Sequence, residues 1–231
     1  MGKEEFECPI CGYTGPFRDI NPPSGRREHA QCPKCGSLER HRLQFLVARL
    51  ILDNLNTPQM KMLHFAPEAF LRDFFSEKFG TYETADLNKA GVDHKVDLIN
   101  LPFSDSTYDF VFASHVLEHI VDDQKALKEI RRVLKPNGLA FLPVPIVSES
   151  TIEYLEPNPL EFHHVRAPGL DYFDRYVPYF SRVELYRSDS LPERHQLFVY
   201  EDRSRWPTTE CPQRRAMVGD RHIEIVPVCY A

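Results

Sequence analysis

His115, Glu118 and His119 stand at the spacing H-x-x-E-H within "SHVLEHI". On a helix that spacing stacks two imidazoles and a carboxylate on one face, the arrangement of inverted zinc peptidases. Four cysteines form a second arrangement, Cys8-Pro-Ile-Cys11-Gly and Cys32-Pro-Lys-Cys35-Gly, with 20 residues between the pairs. A two-residue gap lets both sulfurs of a pair meet one ion. Four thiolates satisfy tetrahedral zinc, and the glycine after each pair permits a tight backbone turn. Twin knuckles argue for zinc over disulfides. With four protein ligands no position remains for a catalytic water, so this zinc is expected to fold the segment, not to do chemistry. Cys211 and Cys229 lack such spacing and are expected as unpaired thiols.

These groups must be held by a scaffold, and the composition bounds it. A chain of 231 residues with 42% hydrophobic and 27% charged content can bury a core as one main domain with a small accessory. No apolar run approaches the roughly 20 residues that cross a bilayer, and "MGKEEFECPICG" lacks a secretory layout, so a cytoplasmic protein without a membrane partner is expected. "MGKEEF" has Phe6 where a myristoylation site wants Ser or Thr. The formal charge is −6; residues 1–50 carry eight Lys or Arg against six Asp or Glu, which leaves −8 for the rest. Neither part is a strong polyanion binder, and nucleic acid is an unlikely partner on charge alone.

"SLERHRLQFLVARLILDN" sets Leu43, Leu46, Val47, Leu50 and Ile51 at helical spacing with Ser37 as cap, an amphipathic helix leading out of the ribbon. From residue 61 strands and helices alternate, which predicts a parallel sheet with crossover helices. "KMLHFA" reads as a strand and "EAFLRDFFSEKF" as a helix stopped by Gly80. "TYETADL", "HKVDL" and "YDFVFAS" read as three more strands. "DQKALKEIRRVL" is a helix capped at Asp122 or Asp123 and ended by Pro136, and "LAFLPVP" is the next strand. "SRVELYRS" and "HQLFVYED" are expected to close the sheet as an antiparallel hairpin.

Such a sheet leaves one natural ligand site, the crevice beyond the carboxyl ends of its first strands. Asp86, 20 residues after Ala66, ends the second strand, where a carboxylate can accept both hydroxyls of a ribose. Asp97 ends the third, where it could accept from an adenine amine. Together they point to a nucleoside.

Residues 97–142, "DLINLPFSDSTYDFVFASHVLEHIVDDQKALKEIRRVLKPNGLAFL", resemble the class I S-adenosylmethionine-dependent methyltransferases of the type-11 kind, and the knuckles followed by "GSLERHR" resemble a subset bearing an amino-terminal ribbon. The resemblance implies a Rossmann-like seven-stranded α/β sheet, mostly parallel with a closing antiparallel hairpin, beside a small zinc ribbon. It implies an enzyme with S-adenosylmethionine as cofactor, Asp97 at the adenine, and Ser114 and His115 lining the cofactor or acceptor pocket, with Glu118 and His119 supporting that loop. The expected cofactor shell is Phe65, Ala66, Pro67, Glu68, Asp86, Leu87, Asp97, Leu98, Ser114 and His115, with Arg40 from the ribbon side. In "LHFAPEAFL" the chain departs from the family, with His64 for the acid and Ala66, Glu68 and Phe70 at glycine positions. Glu68 is read as an acceptor for the cofactor's α-amino group or as a first-turn acid favoured by the helix dipole.

A zinc hydrolase needs a third ligand, and Glu184 and Glu193 sit in a strand and a turn. His115 also follows a strand directly, so the H-x-x-E-H residues are expected in a loop, not on a helical face, and no metal is assigned to them. His115 is the candidate base, because imidazole titrates near neutral pH, or a pocket wall. His41 and Arg42 in "LERHR", His119 in "SHVLEHI", and His163, His164 and Arg166 in "EFHHVRAPGLDY" are candidates to hold the acceptor. The chain divides into a ribbon (1–37), a linking helix (38–60), a methyltransferase domain (61–202) and a carboxy-terminal extension (203–231). A small-molecule or sugar-type acceptor is the leading expectation. The alternatives are an RNA acceptor or a catalytically inactive scaffold, and the oligomeric state is open.

Overall fold

A computed structural model describes residues 4–231, so the first residues of "MGKEEF" lie outside the described residues. Seven strands form the main sheet in the order Arg182–Arg187, Ile225–Tyr230, Leu134–Phe141, Tyr108–Ala113, Lys61–Phe65, Thr81–Asp86, His94–Lys95. Ile225–Tyr230 pairs antiparallel with both neighbours, and every other pairing is parallel. The chain leaves Lys61–Phe65 towards Thr81–Asp86 on one side and later returns to Tyr108–Ala113 on the other. Their carboxyl ends therefore flank an open crevice.

Strand periodicity builds the two core layers. Along Tyr108–Ala113, Phe110 and Phe112 enter the layer under α1 (Glu39–Leu52) and α2 (Ala69–Lys78). Val111 and Ala113 enter the layer under α3 (Asp123–Val133), where Leu127, Ile130 and Val133 meet them, and Tyr108 joins that layer from before a register shift in the strand pairing. Alternation by two on the strand thus meets a 3.6-residue stripe on each helix. Asp122 caps α3, its carboxylate accepting from the Lys125 amide at 3.0 Å. Helix α2 ends at Lys78, and the chain turns at Gly80, where a Cβ would meet the Pro58 carbonyl oxygen at 1.9 Å.

Four expectations are corrected. Leu38, not Ser37, caps α1, and its amide donates to His41 Nδ1 at 3.0 Å. Leu50 is half exposed, because α1 buries the stripe through Leu43, Val47 and Leu52. "HQLFVYED" does not pair with "SRVELYRS". Its Val199–Glu201 joins Arg18–Ile20, Arg27–Gln31 and Arg221–His222 in a separate four-stranded sheet. The partner of Arg182–Arg187 is Ile225–Tyr230, from the segment expected as an extension. A boundary at residue 202 therefore cuts through the fold, because apolar "IVPVCY" fills the slot between two sheet strands.

At the amino terminus Phe6–Glu7 pairs with Thr14–Gly15. Gly12 and Gly36 take φ values of +70° and +80° and donate to the Cys8 and Cys32 carbonyls at 2.9 Å, the turn each knuckle needs. Arg42, 0% exposed, donates to the carbonyls of Ala30, Ser37, His195 and Gln196. One guanidinium thus fastens the ribbon, α1 and the segment before Val199 to each other.

Candidate active site

Two cavities lie at the carboxyl ends of the central strands, and His115 and His119 line both. The first, about 430 Å³, opens beyond Lys61–Phe65 and Thr81–Asp86 and is walled by Phe65, Ala66, Asp86, Leu87, Asp97 and Leu98. Asp86 Oδ1 accepts from the amides of Asn88 and Lys89, both at 2.8 Å, and Asp97 Oδ1 accepts from the Ile99 amide at 3.1 Å. Each carboxylate is thereby oriented by its own turn through one oxygen. Lys89 Nζ donates to the Pro67 carbonyl at 2.6 Å, tying the turn after the second strand to the loop after the first. Ala66 and His115 take φ values of +48° and +55°, a left-handed backbone that non-glycine residues rarely adopt. Such strain marks loops whose shape is fixed by their surroundings.

Glu68 does not line either cavity. Its Oε1 accepts from Arg40 Nη2 at 2.8 Å and meets His41 Nε2 at 2.9 Å. His41 Nδ1 already accepts a backbone amide, so the neutral ring carries its proton on Nε2 and donates it to Glu68. Burial alone would raise the Glu68 carboxyl, but the His41 hydrogen bond and the Arg40 charge hold it well below the usual carboxylate range. Glu68 Oε2 and Arg40 Nε stay buried without a partner.

The second cavity, about 250 Å³, is ringed by charged side chains. Its walls bring Arg40, Glu118 and His164 to Arg27 from the ribbon and to Arg203 and Glu224 from the last quarter of the chain. Its arginines are held: Arg27 by Glu39 at 2.8 Å, Arg203 by Glu201 at 3.0 Å, and Arg214 by Glu161. Burial pushes the Glu118 carboxyl up, and neither of its oxygens has a hydrogen-bond partner. Burial holds the His115 and His164 imidazoles down to about 4, so both are neutral at pH 7.

The H-x-x-E-H residues lie in a loop with one 3-10 turn, Leu117–His119, so the helical-face geometry is absent as expected. Several other candidates sit away from the cavities. Ser114 is buried and bonded to Gln44 at 2.9 Å, and His41 is spent on Leu38 and Glu68. Arg42 contacts no cavity, which corrects its expected role at the acceptor: all its nitrogens serve backbone carbonyls. Arg166 is likewise buried, and it donates to the carbonyls of Leu117, Ile120 and Val121. It fixes the loop that carries Glu118 and His119 and so acts through them. His163 is exposed and lines neither cavity.

Arg27, Glu161, Glu201, Arg203, Arg214 and Glu224 escaped the sequence reading. Arg27 comes from the ribbon, Glu161 opens "EFHHVRAPGLDY", Glu201 lies in "HQLFVYED", and the rest come from segments without a motif. The only sequence signal for the later ones is the apolar strand "IVPVCY", which requires the preceding charged stretch to cross back over the sheet.

The four cysteine sulfurs converge, with Cys8 to Cys35 at 3.7 Å, Cys11 to Cys32 at 3.6 Å and all four within 4.8 Å of one another. Tetrahedral zinc with thiolates at about 2.3 Å places sulfurs about 3.8 Å apart, so the set fits that ion.

Residues 75–142 match the family model described as "Methyltransferase domain". Demethylmenaquinone methyltransferase from Staphylococcus epidermidis is 41% identical over 68 residues, covering 28% of this chain and 28% of that protein. The chain thus spans little more than a quarter of that relative's length. Among solved structures, an S-adenosylmethionine-dependent methyltransferase from Mesorhizobium loti aligns at a TM-score of 0.53 and 11% identity, covering 81% of this chain and 97% of the other. The 4+2 cyclase SpnF aligns at a TM-score of 0.56 and 14% identity, covering 82% of this chain and 80% of the other. The likeness to these two structures is one of fold.

Proposed function

We propose that this chain, which carries a class I methyltransferase domain, binds S-adenosylmethionine in the cleft at Asp86 and Asp97 and methylates a small polar acceptor of sugar type in the adjoining pocket. The observation that carries this reading is the position of His115 and His119, which line both cavities. A group transferred from one cavity to the other passes these two side chains.

The chain's residues fit the cofactor. Asp86 and Asp97 accept from the ribose hydroxyls and the adenine amine, while Phe65, Leu87 and Leu98 give the apolar walls a nucleoside needs. The orphaned atoms beside the altered loop have opposite character, an acceptor at Glu68 Oε2 and a donor at Arg40 Nε. Both atoms are buried and neither residue lines the cofactor cleft, so the pair supports the altered loop from behind. Ala66 supplies the turn with the glycine-like φ that the loop requires, and Pro67 is held by Lys89. Among the other residues expected at the cofactor, Ser114 acts through Gln44 and supports the loop.

Bound S-adenosylmethionine supplies a methyl group made electrophilic by a sulfonium. The protein's task is then positioning, worth several kcal/mol in well-oriented systems. His115 is the residue best placed to receive the acceptor's proton, because it lines both cavities. Arg40 and His164, from the pocket wall, orient the acceptor's polar groups. His119 belongs to the same wall. The four-cysteine zinc holds the ribbon whose Arg27 closes the pocket, so the ribbon is a structural wall more than a docking module. A pocket of about 250 Å³ favours a single sugar-sized molecule over an RNA strand.

Transfer of tritiated methyl from S-adenosylmethionine to pools of monosaccharides, phosphosugars and RNA tests the reading. Label in the small-molecule fraction alone supports it, and label in RNA alone overturns the acceptor class. His115→Gln should lower kcat at least about 100-fold with little change in cofactor affinity, the usual scale of a lost general base. An unchanged kcat would reduce His115 to a wall.

A further inference from the structure

We propose that Glu118, His119 and His164 form a binding site for a divalent transition-metal ion, separate from the cysteine cluster. Their ligand atoms all lie within 4.8 Å of one another. The spacing of His115, Glu118 and His119 alone does not make this site, because the loop is not helical. What completes it is His164, from the strand His164–Ala167, whose ring packs against that of His119 with centroids 4.7 Å apart. His164 lies in "EFHHVRAPGLDY", well downstream of the H-x-x-E-H residues.

Independent support comes from polar atoms that the protein leaves unused. Glu118 is 0% exposed, yet both of its oxygens lack hydrogen-bond partners among the described residues. Its nearest basic side-chain nitrogens are His115 Nδ1 at 3.5 Å and His164 Nε2 at 3.9 Å, too far for good hydrogen bonds. His115 Nε2 and His164 Nδ1 are unpartnered as well. A buried carboxylate without partners is costly, whereas a cation held beside it by two imidazoles offsets that cost. Neighbouring groups are already committed. Arg40 is paired with Glu68 and Arg214 with Glu161, and neither forms an ion pair with Glu118. Arg166 clamps the loop's carbonyls, which fixes Glu118 and His119 in place. Two imidazoles and one carboxylate suit a first-row divalent ion and leave coordination positions open. All three residues line the charge-ringed pocket. On the methyltransferase reading, the open positions would take paired oxygens of the acceptor, such as a vicinal diol.

The test uses the full chain with zinc on its cysteines, titrated with Mn2+ and followed by the electron paramagnetic resonance signal of the free ion. Thiolates compete poorly for Mn2+, so the ribbon does not interfere. One Mn2+ per chain is expected, with affinity reduced at least about tenfold in Glu118→Gln and His164→Ala. His119→Ala, at an exposed side chain, guards against variants that fail to fold and should weaken binding by a similar factor. Metal analysis should still find one zinc per chain in each variant. Absence of Mn2+ uptake by the wild-type chain, or uptake unchanged in both histidine variants, overturns the proposal. The titration needs neither cofactor nor acceptor, so its failure leaves methyl transfer standing, and failed methyl transfer leaves the metal site standing.

Discussion

Removing the metal from the four cysteines, or replacing Cys32 with Ser, is expected to unfold residues 4–37 and open the charge-ringed pocket while the seven-stranded sheet persists. The ribbon's own core is small, with Phe6, Cys8, Phe17 and Cys32 its buried members. It cannot replace the roughly 10 kcal/mol that a four-thiolate zinc site contributes. The loss would spread along a defined route. Arg27–Gln31 pairs with Val199–Glu201, which pairs with Arg221–His222, so the sheet that brings Arg27 and Glu201 to the pocket depends on the ribbon. The parallel strands have their own two core layers and do not. Hydrogen exchange checks this directly. Loss of protection is expected at 4–37 and 196–222 but not at 108–113 or 134–141. Uniform protection with and without metal would mean that the cysteines do not hold the ribbon.

The second large effect is expected at Arg42. Arg42→Leu should destabilise the protein by about 3–5 kcal/mol, the cost of breaking a buried charge's partnerships. That lowers the melting temperature by roughly 10 °C in a chain of this size. Burial pulls its guanidinium down from the usual value, yet four carbonyls from three segments accept its protons. Arg42→Lys should recover only a small part, because a single ammonium cannot span those positions. Thermal melts of both variants decide it. A shift under 2 °C for Arg42→Leu would show that the ribbon and α1 are held together by other contacts.

These two residues also mark what the sequence could and could not convey. The convergence of Cys32 with the other three cysteines is legible because two pairs with two-residue gaps form a fixed local pattern. Asp86 and Asp97 were legible because strand ends follow from local periodicity, and both stand at the crevice. Arg42 was misread as an acceptor contact because a cation near a helix start looks the same in sequence whether it faces solvent, ligand or backbone. Only the three-dimensional return of His195 and Gln196 consumes its hydrogen bonds. The same non-local return hid the pairing of Arg182–Arg187 with Ile225–Tyr230, since a turn-rich connection made the adjacent "HQLFVYED" the simpler partner. His164 and Glu118 meet across 45 intervening residues, so the pocket's most unusual cluster had no local signature.

The central claim is that the crevice at Asp86 and Asp97 binds the cofactor despite its altered first loop. Calorimetry with S-adenosylhomocysteine on the zinc-loaded chain tests it most directly. One molecule per chain is expected, with a dissociation constant below about 0.1 mM, equivalent to about −5.5 kcal/mol. Asp97→Ala should weaken binding at least about tenfold, a charge-assisted hydrogen bond lost. Absence of binding at about 1 mM ligand by a folded chain would contradict the account and leave a methyltransferase fold that has lost its cofactor.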